Sequence, residues 1–285
     1  MVQPTTTPPL GHIGGINVYP VKSMKGTALE RGLVTATGLA YDRRWLVVDD
    51  QGRFLTQREE PRLSLVTPTL GATRLKLAAP GMTDIELELA DAGGDRKRVA
   101  IWDDEVEAVA TRDDIGQWLS DFLGGSRHLV RMPDRTVRGV DPAYALPRDR
   151  VGFADAFPFL IISQASLDDL NQRLSARSEE PLPMDRFRPN LVIAGCQPFA
   201  EDGWRKVRIG GIGFRVVKPC ARCVITTTDQ ATGATGREPL RTLAGYRRRG
   251  TKVLFGQNAC HDSEGELRLG DPVSLEVAAD AALLG

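Results

Sequence analysis

From Leu63 to Val109 the chain repeats short runs in which apolar and polar residues alternate. The runs are Leu63-Ser64-Leu65-Val66, Leu75-Lys76-Leu77, Ile85-Glu86-Leu87-Glu88-Leu89 and Val106-Glu107-Ala108-Val109, broken by Gly, Pro and Asp. Successive residues of an extended chain face opposite sides, so this alternation predicts strands with one buried face. Regular short strands separated by turn residues close into a small barrel or sandwich. Upstream, Ile13 to Val21 reads as a strand ending at Pro20, followed by Leu33-Val34-Thr35 and by Tyr41 to Asp49. Asp50-Gln51-Gly52 then turns into Arg53-Phe54-Leu55-Thr56, which completes a meander.

The period changes at Asp113. Ile115, Trp118, Leu119, Phe122 and Leu123 fall on one helical face, and Gly124-Gly125 stops the helix. We place a unit boundary there, giving a loose N-terminus at 1–12, a first unit at 13–125 and a second at 126–285. Leu129-Val130-Arg131 begins a strand, and residues 132–150, rich in Pro, Arg and Asp, read as a surface connection and a candidate active-site loop. Phe157 to Ile162 is a buried strand. Ser166 is expected to cap the next helix, whose apolar stripe is Leu167, Leu170 and Leu174. Leu191 to Ala194 is another buried strand, and Arg205–Ile209 pairs with Phe214–Val217 across Gly210-Gly211-Ile212-Gly213. Pro239 opens a short helix, Val253 to Cys260 and Leu267 to Leu275 supply closing strands, and an Ala-rich tail frays. The fold class is α+β and β-rich.

Composition limits the function classes. Lys plus Arg and Asp plus Glu number 37 each, so no global field recruits nucleic acid or an anionic membrane, and basic chemistry has to be local. Met1 to Pro9 lacks the charged and apolar regions of a secretory signal, and no apolar run approaches the ~20 residues of a membrane helix. Four cysteines, two of them three apart, suit a reducing compartment, and the expectation is a soluble cytoplasmic protein.

Those two cysteines lie in Lys218-Pro219-Cys220-Ala221-Arg222-Cys223, which runs into Val224-Ile225-Thr226-Thr227-Thr228-Asp229. The spacing admits a metal ligand, a redox dithiol or two core cysteines. A redox dithiol needs a helix N-terminus to lower the thiol pKa, and a β-branched run after Cys223 prefers strand. A zinc site with Cys260 and His261 lacks a second paired-cysteine knuckle. Elsewhere, Lys22-Ser23-Met24-Lys25-Gly26 forms a turn suited to an anion, or simply to solvent. Arg43 and Arg44 flank an apolar strand, so one faces inward, where its partner is an internal carboxylate such as Asp42 or Glu59, or a bound phosphate. Lys22, Arg43, Arg188 and Asn190 recur at strand ends and loops, as a phosphate-bearing, polar-edged cofactor requires. Neither a GxGxxG nor a GxxxxGK[ST] sequence is present, and three histidines leave little for histidine catalysis.

Four stretches together resemble the two-part MOSC-domain molybdenum enzymes, which include the mitochondrial amidoxime-reducing component and bacterial relatives. They are Tyr19 to Gly26; Asp42-Arg43-Arg44-Trp45 with Gln57 to Arg62; Phe187-Arg188-Pro189-Asn190; and Cys220 to Cys223 with Thr226 to Asp229. The Gly233 loop, Glu238-Pro239-Leu240, Leu254 to Gln257 and Gly270 to Val273 extend the likeness over nearly the whole chain. The resemblance implies a β-barrel-like N-terminal domain packed on a MOSC β-barrel, with a molybdenum-pterin cofactor between them and no pyridoxal phosphate. It implies Cys223 as the thiolate ligand of molybdenum, with Cys220 and Cys196 as non-ligands. Lys22, Ser23, Arg43, Arg188, Asn190 and Ala221 are expected to contact the cofactor, and Asp155 to place a carboxylate near the metal. The implied activity is reduction of N-hydroxylated substrates, with electrons from a separate ferredoxin- or cytochrome-type partner. A cofactor carrier or a persulfide carrier on Cys223 is the alternative.

Overall fold

A computed structural model of the chain describes residues 9–90 and 94–279. Most of the loose N-terminus and the end of the Ala-rich tail lie outside the described residues. The first part carries β1 (Gly11–Val18), β2 (Thr27–Leu29), β3 (Arg31–Thr35), β4 (Gly38–Leu39) and β5 (Trp45–Val48). After them come β6 (Thr67–Leu70), β7 (Arg74–Ala78), β8 (Ile85–Glu88), β9 (Arg96–Ile101), β10 (Asp104–Ala110), α1 (Asp113–Leu123) and β11 (His128–Arg131). The second part begins with β12 (Phe159–Ser163), α2 (Gln164–Ser175), β13 (Leu191–Ala194), β14 (Trp204–Ile209) and β15 (Ile212–Ala221). It ends with α3 (Leu240–Leu243), β16 (Arg248–Arg249), β17 (Lys252–His261), β18 (Gly265–Arg268) and β19 (Pro272–Ala278).

Seven strands close a barrel in the order β12-β13-β1-β19-β14-β15-β17, and β17 pairs back onto β12 with Phe159 opposite Ala259. Its interior is lined by alternate residues, among them Ile13, Ile16, Phe159, Leu191, Phe214 and Val273. The barrel therefore takes its third strand from the chain's beginning, since β1 pairs antiparallel with β13 and with β19. β3 likewise pairs with β18 from the far end of the chain, with β4 on its other side, and β2 pairs with β1.

The remaining first-part strands form a half-barrel from the sheets β5-β11-β10-β9 and β6-β7-β8. All four residues of β5 are buried. Trp45 and Val47 pack against Leu75, Leu77 and the apolar face of α1, while Leu46 and Val48 face Val99, Val106 and Phe153. β11 pairs with β5 and β10, so it completes the first-part sheet although it follows the division drawn at 126.

Three local expectations need correction. Pro61–Leu65 is a 3-10 helix where the alternation predicted a strand: Pro61 sits in its first turn, and the Glu60 side chain accepts a hydrogen bond from the Arg62 backbone N–H at 3.2 Å. That turn buries Leu63 in the same core as Val66, three residues on. The strand expected from Tyr41 is confined to Trp45–Val48, because Tyr41 and Arg43 adopt positive φ values of 65° and 47° and turn the chain. The cap of α2 is Ser163 in place of Ser166, and its side chain accepts from the Ser166 N–H at 3.1 Å. No described helix is long and apolar enough to cross a membrane.

Candidate functional site

Strand direction brings the site together. The C-terminal end of β1 lies beside the start of β13, β12 runs parallel to β13, and the end of β15 lies beside the first half of β17. One barrel rim thus gathers the turn after β1, the loops entering β12 and β13, and the end of β15. These are the segments carrying Lys22 and Ser23, Asp155, Arg188 and Asn190, and Ala221 and Cys223. They surround a cleft of about 310 Å³, to which Arg43 is added from the turn before β5. Every residue expected at the site therefore lines this one cleft. Six cations on its wall (Lys22, Arg43, Arg188, Lys218, Arg222 and Lys252) face a single carboxylate, Asp155. A chain without net charge concentrates positive potential here.

At one end, Lys22 is buried beneath Asp155. Its Nζ donates to the Phe153 carbonyl at 2.8 Å and to Asp155 Oδ1, while Asp155 keeps about half its side chain exposed. Burial lowers the Lys22 pKa, opposed by the Asp155 charge. Burial also acts to raise the Asp155 carboxyl, but Lys22, and after it Arg58, hold it well below the usual carboxylate range. The loop bearing Asp155 is tied by Arg138, whose guanidinium donates to the carbonyls of Gly152 at 3.0 Å and Ala154 at 2.6 Å. Arg138, Val140 and Asp149 are buried, so the segment expected to be a surface connection has an interior of its own.

At the other end, Arg43 and Arg188 stack against the buried Tyr19 ring, at 4.2 and 4.3 Å from its centroid. Arg43 donates to Asp42, the internal carboxylate, and to Asn190 Oδ1 at 3.1 Å; Arg188 donates to the Met24 carbonyl at 2.7 Å. Arg44, the inward neighbour, donates to the Met132 carbonyl at 2.7 Å and Asp134 at 2.6 Å. Burial, with Arg43 beside it, lowers the Arg188 pKa to about 10; burial also lifts the Tyr19 phenol to about 12, against the opposing charges of Arg188 and Arg43. Ser23, Arg43 and Arg188 all have positive φ, at 68°, 47° and 57°. Left-handed backbone at non-glycine residues is costly, and such strain gathers at ligand clamps.

Cys220 lies in β15, but Cys223 caps a 3-10 turn, Val224–Thr227, where the β-branched run predicted strand. Thr226 and Thr227 explain the difference: their hydroxyls donate to the carbonyls of Cys223 and Val224 at 2.9 and 2.8 Å and stabilise the turn locally. All four cysteines are free, and Cys260 is fully buried with its thiol pushed up to about 12 by burial. No three described His, Cys, Asp or Glu side chains gather to hold a metal, which leaves the zinc reading without a ligand set.

Sequence reasoning passed over Arg58, Tyr19 and Arg138 as functional residues. Arg58 Nη2 donates to Cys223 Sγ at 3.3 Å and lies 3.7 Å from Asp155 Oδ2. Arg58 and Tyr19 fall within the stretches that carry the family resemblance, which was the available signal. A lone arginine in a turn has no periodicity to reveal it.

The residues present fit a molybdenum-pterin group. Cys223 offers one soft donor and, among the described residues, no cluster of protein ligands surrounds it, so a metal bound there has to bring most of its ligands with it. Arg43 and Arg188, two part-buried guanidiniums converging on one ring, favour an anion between or beside them.

The family model described as the MOSC N-terminal beta barrel domain matches residues 10–126, and the MOSC domain model matches residues 148–274. Among curated proteins, mitochondrial amidoxime-reducing component 1 of Mus musculus is 37% identical over 285 residues, covering 93% of this chain and 82% of the relative. Its Homo sapiens counterpart is 34% identical, covering 93% and 83%. The molybdenum cofactor sulfurase of Oryza sativa subsp. japonica is 35% identical over 86% of this chain, which spans 32% of that longer protein.

Proposed function

The chain belongs to the MOSC-domain family, in the two-part form of the mitochondrial amidoxime-reducing components, and on that premise we propose that it is a molybdenum-cofactor-dependent oxidoreductase that reduces N-hydroxylated compounds. The observation that carries this reading is the cleft itself, where Cys223 opens among six cations and one carboxylate. Arg43, Arg188 and Asn190 would hold the phosphate and polar edge of the pterin, with Lys22, Ser23 and Ala221 along its length. Cys223 would ligate the metal. When bound, the molybdenum centre supplies two electrons and accepts the oxygen of the substrate.

The protein's own groups handle orientation and protons. Reduction of an N–OH to N–H and water consumes two electrons and two protons. Asp155, ionised and half exposed, accepts the hydrogen bond of the N–OH and aligns its oxygen. Lys22 holds a proton against Asp155 in a setting that weakens its hold on it, and so acts as the local proton source. Electrons would come from a separate ferredoxin- or cytochrome-type protein.

The test is protein purified from a host that makes the cofactor. We expect about one molybdenum per chain, pterin fluorescence, and reduction of an aryl amidoxime by a reduced viologen; metal-free protein, or loaded protein inert to several N-hydroxylated compounds, overturns the proposal. Similarity to the rice sulfurase supports a second reading, in which Cys223 carries sulfur. Intact-mass analysis showing one added sulfur atom on Cys223, with no reductase activity, would favour it.

A further inference from the structure

Arg58 belongs to the loop between β5 and β6, yet its guanidinium reaches the thiol at the end of the barrel. Nη2 donates to Cys223 Sγ at 3.3 Å and approaches Asp155 Oδ2 at 3.7 Å, so one nitrogen spans the sulfur and the carboxylate. The guanidinium is backed by Trp102, with its carbon 4.8 Å from the ring centroid, and Trp102 is wedged edge-on against Phe54 at 5.1 Å. Trp102 has a φ of 55°, a strained conformation for a bulky residue, in the turn between β9 and β10. Arg58 Nη1 is buried without a hydrogen-bond partner. The guanidinium is thus held between an aromatic support and a carboxylate from the other half of the chain, with one N–H directed at the sulfur.

We propose that Arg58 is a positioning residue that fixes the Cys223 sulfur and weakens its electron donation to a bound metal. This rests on the reading of Cys223 as the molybdenum ligand. A hydrogen bond to a ligating sulfur withdraws electron density from it and raises the metal's reduction potential. Through Asp155 the same guanidinium keeps the carboxylate in register with the sulfur, so the two sides of the reaction centre share one support from the first half of the chain.

The experiment is a potentiometric titration of the bound molybdenum, followed by electron paramagnetic resonance, in wild-type, Arg58→Met and Arg58→Lys holoproteins. Arg58→Met keeps the apolar stem on Trp102 but removes the N–H and the charge. We expect at least a tenfold higher ratio of oxidised to reduced metal at a fixed potential, equivalent to about 59 mV for a one-electron step. Arg58→Lys restores part of the shift. If Arg58→Met does not hold molybdenum, Arg58→Leu, which also lacks a donor, is titrated in its place and read the same way. Wild-type potentials in the variants, with only occupancy changed, overturn the proposal and leave a packing role. Wild-type protein that binds no molybdenum overturns this inference and the function it rests on together, so the two failures are told apart.

Discussion

Asp149 and Arg215 form the strut between the barrel and the segment that presents Asp155, and Asp149→Asn tests it. Arg215, on β15, donates from Nη1 to Asp149 Oδ2 at 2.9 Å and from Nη2 to Oδ1 at 2.7 Å, and Asp149 also accepts the Leu146 N–H at 2.7 Å. Breaking a buried pair costs about 3–5 kcal/mol. Arg215 Nε keeps Asp262 at 2.7 Å and the new amide keeps one acceptor oxygen, so we expect a loss nearer ~2 kcal/mol. For a chain of this size that is a fall in Tm of about 4–8 °C at neutral pH. Burial acts to raise the Asp149 carboxyl, but Arg215 holds it below its ordinary value. A carboxyl depressed in the folded state adds stability that is fully present above its unfolded pKa of about 3.9 and is lost as pH falls through the folded value. The gap in Tm between wild type and variant should therefore be widest near neutrality and narrow below about pH 4. Calorimetry across that range checks it. A gap under about 0.5 kcal/mol at neutral pH, where ordinary surface substitutions fall, or one that grows on acidification, refutes the argument.

Cys223→Ser should abolish reductase turnover, because a serine oxygen is a harder donor than a thiolate; full activity with molybdenum bound would contradict the ligand assignment. Arg43→Ala and Arg188→Ala should lower molybdenum occupancy severalfold while changing the rate per bound metal less, as metal analysis beside kinetics will show; normal occupancy in both removes the phosphate clamp. A fragment of residues 126–285 lacks β1 and with it the buried Ile13, Ile16 and Val18, worth ~5–8 kcal/mol together, and it exposes the edges of β13 and β19. It should aggregate or remain unfolded by circular dichroism, and a stable monomer with native-like spectra would show that the barrel closes without the first strand.

What the sequence revealed tracks how local the physics is. The helix expected over Asp113 to Leu123 is α1 with the same bounds, since an apolar stripe and two glycines at positive φ, Gly124 and Gly125, act within a few residues. The hairpin expected between Arg205 and Val217 forms with Ile209 opposite Ile212 and Phe214 opposite Val207. The 3-10 segments at Pro61–Leu65 and Val224–Thr227 differ from the expected strands because local side-chain-to-backbone hydrogen bonds, made by Glu60 in the first and by Thr226 and Thr227 in the second, outweigh β propensity there. The entry of β1 into a barrel otherwise built from residues 159–278 leaves no local mark, as it is a pairing across about 180 residues. For the site, the resemblance supplied the residues, and strand direction in the barrel explains why they meet. Arg58 escaped notice because its role depends on where a turn of one half falls against a thiol of the other.

The placement of β1 also explains how one cleft holds so much positive charge. Lys22 and Ser23 follow β1 directly, so the strand that closes the barrel delivers them to the rim beside Arg188 and Asn190, which precede its partner β13. Lys22, Arg188 and Arg43 are each held in part by neutral groups. Lys22 has a carbonyl and Asp155, Arg188 a carbonyl and the Tyr19 ring, and Arg43 the same ring with Asp42 and Asn190. Asp42, which does not line the cleft, accepts the Tyr19 N–H at 2.8 Å and pairs with the Arg43 guanidinium from behind the wall. Carbonyls and aromatic faces orient guanidiniums without neutralising them, and the one carboxylate on the cleft wall stands at the end nearest Cys223. On the reading proposed above, the guanidiniums of Arg43 and Arg188 on the Tyr19 ring would take the phosphate of a cofactor, and the group formed by Cys223, Asp155 and Lys22 would stand beside its metal.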